Sequence, residues 1–218
     1  MGELWPGFEE RPVIAELNDV TVAEVLLRVG ALTGWIGSAK QIEGSQETAK
    51  NLISESITIF RSLQNIRKVA EAESDLSVCY WREGTFNEAR VWLRDALEVL
   101  PANADDEVRA AALLRLAIVE RSAKRFHDAL RIHIEAAPLF QKSSNDSLKG
   151  KFYNGFGFVL RNLGTTEKRG DYIDRALIEY AAASYHFEQA GHTLYQACVE
   201  NNLGFLFCTT EYRTKIVL

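Results

Sequence analysis

Small and bulky side chains alternate along the chain in a pattern that occurs four times. Each occurrence starts from a small residue, which is Ala49, Ala89, Ala129 or Ala176. A bulky residue follows four positions later, at Ile53, Leu93, His133 and Tyr180. Another small residue follows at seven positions and another bulky one at eleven: Ser56, Ala96, Ala136 and Ala183, then Phe60, Leu100, Phe140 and Phe187. Because these offsets lie on one face of an α-helix, the pattern predicts four helices that each bury this stripe.

A second pattern occurs four times, and three of its occurrences precede one of these helices. It is a bulky residue followed at once by a small one, and then by another bulky residue three positions on: Leu76-Ser77-x-x-Tyr80, Phe156-Gly157-x-x-Leu160 and Leu203-Gly204-x-x-Phe207, with Leu116-Ala117 as a shorter version. A neighbouring helix can approach closely at the small residue and pack beside the bulky ones. Each repeat is therefore predicted to be a hairpin of two helices.

The whole pattern predicts an all-α chain of nine helices, near residues 20–38, 45–63, 67–83, 86–100, 105–123, 126–142, 146–163, 171–190 and 194–210. Thr21, Thr85 and Thr193 are predicted to cap helices, since each has Glu or Gln three residues later. Gly84, Gly164 and Gly191 are predicted to end helices in the left-handed conformation.

Three segments depart from this regular pattern. Pro138 is predicted to kink the sixth helix or to end its regular hydrogen bonding. Residues 1–18 are predicted to be an extended lead-in whose Trp5 and Phe8 pack on the first hairpin. The first and fourth hairpins hold seven extra residues, at about 37–46 and 164–171. These insertions predict either longer hairpin loops or extra helical turns.

The second repeat runs in order through Leu76, Ser77, Tyr80, Gly84, Phe86, Ala89, Leu93, Ala96 and Pro101. This order resembles the tetratricopeptide repeat (TPR), and the resemblance spans about residues 20–210 with extended repeats of about 40 residues. It is similar to the TPR regions of bacterial regulatory proteins. The resemblance implies a right-handed superhelix of antiparallel hairpins with about four and a half repeats, forming one domain over residues 19–218 whose last repeat is incomplete.

The resemblance also implies a function. TPR proteins are interaction scaffolds or sensors, and the first helix of each hairpin lines a concave groove that binds a protein or peptide segment. The groove positions correspond here to Ser74, Val78, Trp81, Arg82, Arg121, Lys151, Asn154, Phe158, Arg161, Asn162, Asn201 and Phe205. Asn amides can hold a peptide backbone, and Lys or Arg can hold a carboxylate. Asp75 and Arg115 occupy equivalent positions in adjacent repeats and are expected to pair.

The last helix has no partner helix after it in the pattern. Leu203, Leu206 and Phe207 belong to its apolar face, and a solenoid normally covers such a face with a capping helix. One hypothesis is that this face binds a second copy of the chain, giving a homodimer. The other is that the sequence is a piece of a longer protein.

Composition and charge exclude further classes of partner and site. The 25 Lys and Arg against 30 Asp and Glu give a net charge of −5, so we expect no nucleic-acid partner. Cys79, Cys198 and Cys208 fit neither a disulfide framework nor a metal site and suit a reducing compartment. Without a secretory signal or an unbroken apolar run of membrane-spanning length, we expect a cytoplasmic protein with no membrane partner.

No catalytic motif is present in the sequence. It contains no G-x-S-x-G, no phosphate-binding G-x-x-x-x-G-K-[ST], no H-E-x-x-H and no C-x-x-C. His127, His133, His186 and His192 include no pair at the four-residue spacing of a helical metal site. We therefore expect an interaction protein that uses no cofactor and no metal, and not an enzyme.

Overall fold

The computed structural model describes the backbone of residues 5, 7, 10–101 and 106–216, and side chains up to residue 101 and from 107 to 208. Within these residues the backbone forms nine α-helices and no strand, which confirms the all-α prediction. They are α1 (Asp19–Lys40), α2 (Ser45–Ser62), α3 (Ile66–Arg82), α4 (Phe86–Val99), α5 (Asp106–Ser122), α6 (Phe126–Lys142), α7 (Asp146–Thr166), α8 (Gly170–Gln189) and α9 (Thr193–Ile216). The chain forms two compact units, Met1–Arg115 and Leu116–Leu218.

In the first unit, α1 and α2 pack as an antiparallel hairpin. The Ser56 hydroxyl near the end of α2 donates to the Ala23 carbonyl near the start of α1, over 2.8 Å. At the other end, the Gln46 amide donates to the Gly34 carbonyl over 2.7 Å. Between them, a Cβ on Gly30 would lie 2.7 Å from the Ile53 side chain, so the hairpin closes only because this residue has no side chain.

The core of the first unit lies between these helices and the next hairpin. Its buried members come from α1, α2 and α3: Ala23, Leu27, Ala49, Ile53, Ile57, Phe60, Val69, Ala72, Leu76 and Cys79. A neighbouring cluster on α1 is covered by Trp5, Ile14 and Leu17 from the lead-in. The predicted packing of Trp5 on the first hairpin is therefore confirmed, whereas Phe8 lies outside the described residues.

In the second unit, α7 and α8 form a hairpin in which glycines face large side chains. A Cβ on Gly150 would lie 2.7 Å from the Phe187 ring, and one on Gly157 would lie 2.9 Å from the Tyr180 ring. The third glycine, Gly164, faces Ile173 in the same way at 2.8 Å. The three glycines are seven residues apart, so they lie along one face of α7, and the two helices approach closely over its length.

The repeating stripe is buried throughout, as the sequence pattern predicts. Its first small residues and the bulky residues four positions later are all 0–1% exposed. The other two positions are at most 5% exposed. The seven-residue insertions prove to be extra helical turns, since α1 has 22 residues and α7 has 21, against 17 in α3 and α5. Helix α6 continues through Pro138 to Lys142 instead of ending there.

Five of the interhelical turns have the same backbone form. The second residue after each helix has a positive φ, and these residues are Gln64, Gly84, Lys124, Lys168 and Gly191. The next amide donates back to a carbonyl five residues earlier, as in a Schellman turn. The prediction of helix-ending glycines is correct at Gly84 and Gly191. It is wrong at Gly164, which lies inside α7 for close packing, while Lys168 takes the left-handed position.

The capping predictions were only partly correct. Helix α1 is capped by Asn18, whose side chain accepts from the Thr21 amide, so Thr21 is not the cap. Thr85 does occupy the N-cap of α4, but its hydroxyl donates to the Tyr80 carbonyl of the preceding turn. Thr193 is the first residue of α9. A Schellman turn directly precedes Thr85 and Thr193, since the amides of Thr85 and His192 donate to carbonyls five residues earlier.

Helix α1 is the one described helix that is long and apolar enough to cross a membrane. The sequence prediction overlooked it because Arg28 interrupts the apolar run. Half of its apolar window is buried within the structure. Its buried residues pack on α2 and on the lead-in, which is the environment of a core helix.

Replacing Gly150 with Ala tests the close approach of α7 and α8. The new methyl group would meet three atoms of the Phe187 ring within 2.9 Å, and this buried ring has no room to move. We expect a loss of about 1–3 kcal/mol in the free energy of unfolding, measured by urea denaturation. The matched control is Gly204→Ala in α9, where no described atom lies within 4 Å. That change should raise stability by up to about 1 kcal/mol. Equal effects of both substitutions would contradict the packing argument.

Candidate functional site

The first unit contains a polar cavity of about 350 Å³. Its walls come from α1, α3 and the start of α5, which are the first helices of successive hairpins. The lining residues are Arg28, Arg67, Lys68, Glu71, Ser74, Asp75, Glu107, Val108, Ala111 and Arg115. Of the predicted groove residues in this unit, Ser74 therefore lies at the cavity. Val78, Trp81 and Arg82 are half-buried further along α3 and do not line it.

The charges along one wall of this cavity are paired with one another. The Arg28 guanidinium lies 2.7 Å from Glu71, and the Lys68 ammonium lies 3.0 Å from Glu71 and also contacts Glu24. Burial alone would raise the pKa of Glu71, but the hydrogen bonds from Lys68 and Arg28 outweigh it and lower the pKa. This carboxylate is therefore held ionised by its own neighbours.

The expected pair between Asp75 and Arg115 is confirmed. The Arg115 guanidinium contacts the Asp75 carboxylate and donates over 2.7 Å to the Ser74 hydroxyl. Ser74 is 2% exposed, so its hydroxyl is an acceptor inside this pair and is not open to a ligand. Burial lowers the pKa of the nearby Arg82, and the Arg115 charge acts in the same direction.

The second unit brings four of the predicted groove residues together. The Cζ atoms of Arg121 and Arg161 lie 5.0 Å and 4.9 Å from the centroid of the Phe158 ring. The Arg161 Cζ also lies 5.5 Å from the centroid of the Phe205 ring. Guanidinium groups over aromatic faces at these distances are cation–π contacts. We call Arg121, Phe158, Arg161 and Phe205, from α5, α7 and α9, the arginine–phenylalanine surface.

The remaining predicted residues of this unit are placed around that surface. Asn154, one helical turn before Phe158, accepts from the Asn202 amide over 3.3 Å. The Asn162 side-chain amide instead donates to the Phe158 carbonyl of its own helix, over 2.7 Å. It therefore bonds to the backbone of α7 and not to a neighbouring helix. Lys151 is exposed with its ammonium 5.8 Å from the Tyr195 ring centroid, and Asn201 is exposed. Sequence reasoning chose Asn201, whereas its neighbour Asn202 makes the contact.

Two buried polar side chains of the second unit were treated only as packing residues in the sequence. His133 is 1% exposed, and its ring centroid lies 5.1 Å from those of Phe152 and Phe156. Burial lowers the pKa of His133 to about 3, helped by the Arg121 charge. Tyr180 is 0% exposed, and neither the Tyr180 hydroxyl nor the His133 Nδ1 has a hydrogen-bond partner among the described residues. Both residues occupy a bulky position of the repeating stripe, so the sequence pattern indicated only their size and not their buried polar atoms.

The predicted self-association face on α9 is only partly open. Phe207 is 54% exposed and Leu203 is half-buried, but Leu206 is 1% exposed and packs within its own unit. Leu206 is therefore corrected to a core residue, because its side chain is almost fully buried. Among the described residues, no group of His, Cys, Asp and Glu is arranged to hold a metal ion.

No protein-family model and no curated protein matches the sequence. Solved structures do match. The chain is similar to BtubC (BKLC) from P. vanneervenii at 17% identity and a TM-score of 0.56, covering 88% of this chain and 89% of that one. It is also similar to PlcR from Bacillus thuringiensis, solved with the peptide PapR7 and DNA, at 15% identity and a TM-score of 0.56, covering 83% and 69%.

This chain has a TPR-like helical repeat fold. The resemblance found in the second sequence repeat is thereby confirmed at the level of the fold. At 15–17% identity, this similarity does not identify which residues of this chain are functional. The functional residues of this TPR-like chain have to be identified from its own contacts.

The buried His133 makes the stability of the protein depend on pH. Its pKa is lower in the folded state, about 3, than the ordinary 6.5, so the unfolded chain binds more protons between these values. The free energy of unfolding is therefore not reduced by His133 above about pH 6.5, and it falls as the pH drops from 6.5 toward 3. Between about pH 7.5 and pH 5, His133 should cost about 2 kcal/mol of unfolding free energy, measured by urea denaturation.

The control for this prediction replaces two histidines separately. His133→Phe should reduce the loss of stability at low pH by about that amount, whereas His192→Gln, at an exposed position, should leave it unchanged. The pH dependence is the decisive quantity, because the larger Phe ring can also alter stability at every pH. An unchanged pH dependence in His133→Phe would contradict the assignment.

Proposed function

We propose that this protein is a module that binds a peptide or protein segment at the arginine–phenylalanine surface. One observation supports this most directly. Two guanidinium groups and two phenylalanine rings lie in contact on one surface, and Phe205 is 58% exposed. Arginine and aromatic side chains are the residues that most often dominate the binding energy of protein interfaces, where they anchor a partner.

The surface offers two kinds of contact to an extended segment. The rings of Phe158 and Phe205 can cover an apolar side chain. The amides of Asn154 and Asn202, one turn earlier along their helices, can donate to and accept from a peptide backbone. A segment lying across α7 and α9 would then gain apolar burial at one level and directed hydrogen bonds at the next.

The comparison with PlcR agrees with this proposal. PlcR, which shares the fold, was solved in complex with a peptide. In this chain the same mode of action would make the protein a scaffold or a sensor in cytoplasmic signalling. The partner would be a protein or peptide, with no nucleic acid, membrane or cofactor involved and no reaction catalysed.

Selection from a display library of short random peptides tests the proposed function. Peptides enriched on the full chain should bind Phe158→Ala at least tenfold more weakly, because the ring forms the centre of the surface. The matched control is Tyr185→Ala, which removes an aromatic side chain of similar exposure (57%) on α8. Binding would be measured by fluorescence anisotropy, with thermal unfolding to check that each variant is folded.

Two results would contradict the proposed function. One is that no peptide is enriched on the full chain above the level found on Phe158→Ala. The other is that the enriched peptides bind Phe158→Ala and Tyr185→Ala equally well, which would place their binding elsewhere.

A second candidate function is self-association through α9. The observation that favours it is the register of Gly204, which occupies the same position in its pattern as Gly157. Gly157 faces the Tyr180 ring, whereas Gly204 has no described atom within 4 Å of a Cβ position. A helix from a second copy would fill this place beside Phe207.

Light scattering over a series of protein concentrations tests self-association. If α9 is the interface, the full chain should form dimers at high concentration and Phe207→Glu should remain monomeric, because a carboxylate would be buried in the interface. Ile134→Glu, at a 61% exposed position on α6, is the control and should still dimerise. A monomeric parent chain at all concentrations would exclude this candidate.

A further inference from the structure

The arginines of the second unit differ in how their charge is balanced. Four of them lie within 3.3 Å of a carboxylate oxygen: Arg125, Arg131, Arg169 and Arg175. Arg121 and Arg161 form no ion pair among the described residues, and both contact the Phe158 ring instead. Of the six arginines of this unit whose side chains are described, the two without a carboxylate partner are therefore the two that meet on the arginine–phenylalanine surface.

Burial makes this arrangement unfavourable for the protein alone. Arg121 is half-buried. Burial removes water from its guanidinium and thereby lowers its pKa. Burial raises the pKa of the Tyr180 hydroxyl, and the positive charges of Arg161 and Arg121 act to lower it. This hydroxyl is buried without a hydrogen-bond partner among the described side chains. A half-buried cation keeps a cost that a bound anion can offset.

We propose that the arginine–phenylalanine surface recognises a carboxylate that stands next to an aromatic or large apolar group on the bound segment. This rests on the proposed function and names the chemistry of its ligand. The carboxylate is held by the guanidinium of Arg161, and Arg121 adds a second positive charge on the same ring. The neighbouring apolar group packs on Phe158 and Phe205.

The chemistry of the residues favours a carboxylate over other groups. A guanidinium presents parallel N–H donors that match the two oxygens of a carboxylate. A guanidinium whose Cζ lies about 5 Å from the Phe158 ring centroid can stack on that ring and still use the N–H groups at its edge for these bonds. Among the described residues, no acidic side chain forms an ion pair with either of these two arginines. The carboxylate can be the C-terminus of a segment or an Asp or Glu side chain.

Two small probes test the role of the carboxylate directly. N-acetyl-L-phenylalanine and its primary amide have the same ring and backbone and differ only in the negative charge. Each is titrated into the full chain labelled with ¹⁵N-arginine, and the Nε–H signals of Arg121 and Arg161 are followed by NMR. We expect the acid to bind at least tenfold more tightly than the amide and to shift both signals.

Substitutions then test the two arginines. Arg161→Gln should remove the tenfold preference for the acid, and Arg161→Lys should keep part of it because the charge remains. The matched control is Arg131→Gln, whose guanidinium is 2.9 Å from Asp128 at the surface and should leave the preference unchanged. The comparison of acid with amide needs no substitution, so the proposal remains testable if a variant fails to fold.

The source of the carboxylate is resolved with the selected peptides. A peptide whose binding is lost on C-terminal amidation presents its terminus, and one whose binding is lost on Glu→Gln or Asp→Asn presents a side chain. Either result supports the proposal. Equal binding of acid and amide, loss of preference in Arg131→Gln as large as in Arg161→Gln, or tighter binding of inorganic phosphate than of the acid would overturn it.

These outcomes separate the proposal from the function on which it rests. Peptides that depend on Phe158 but bind equally well as acid and amide would leave the peptide-binding function standing and remove the carboxylate. Binding of the acid probe with no peptide selected would show the carboxylate site and contradict peptide binding.

Discussion

The structure depends on the close approach of two helices wherever one of them carries a very small residue. In the second unit this occurs three times along one helix pair, where Gly150, Gly157 and Gly164 face Phe187, Tyr180 and Ile173. A glycine inside a helix costs about 1 kcal/mol in helix propensity. Here a large side chain of the partner helix fills the space over each glycine, and burial of two aromatic rings and an isoleucine offsets that cost.

This packing decides which side of α7 lies outside its hairpin with α8. The glycine face of α7 is turned toward α8, so Asn154, Phe158 and Arg161 lie on another face, one helical turn apart, beside α5 and α9. The hairpin thereby fixes the rotation of α7, and the rotation fixes the surface. Rigid helices hold Phe158 and its two arginines in place more firmly than a loop would.

The fold could be predicted almost entirely from the sequence, because it depends on local spacing. All sixteen positions of the repeating stripe, from Ala49 to Phe187, are buried in the second helices. The errors arose where two physical reasons produce the same residue. Gly164 could end a helix or allow close packing, and Lys168 shows that a left-handed turn does not need glycine. The site was harder. The pair of Asp75 and Arg115 follows from their equivalent positions in adjacent repeats, but the contact of Arg121 with Phe158 depends on how neighbouring helices pack, which spacing does not determine.

Arg115 and Arg121 differ in whether a carboxylate of the described structure neutralises their charge. Arg115 is neutralised by Asp75 and bonded to Ser74 within its unit, so a ligand would have to break these bonds to use it. Arg121 directly follows Glu120 in the sequence, but the Glu120 carboxylate lies 3.3 Å from Arg125 in the following turn. Its guanidinium is left on an aromatic ring in a partly dehydrated place, where a cation–π contact recovers only part of the lost hydration. A protein that retains such a cost in its folded state gains most from a partner that supplies the missing negative charge.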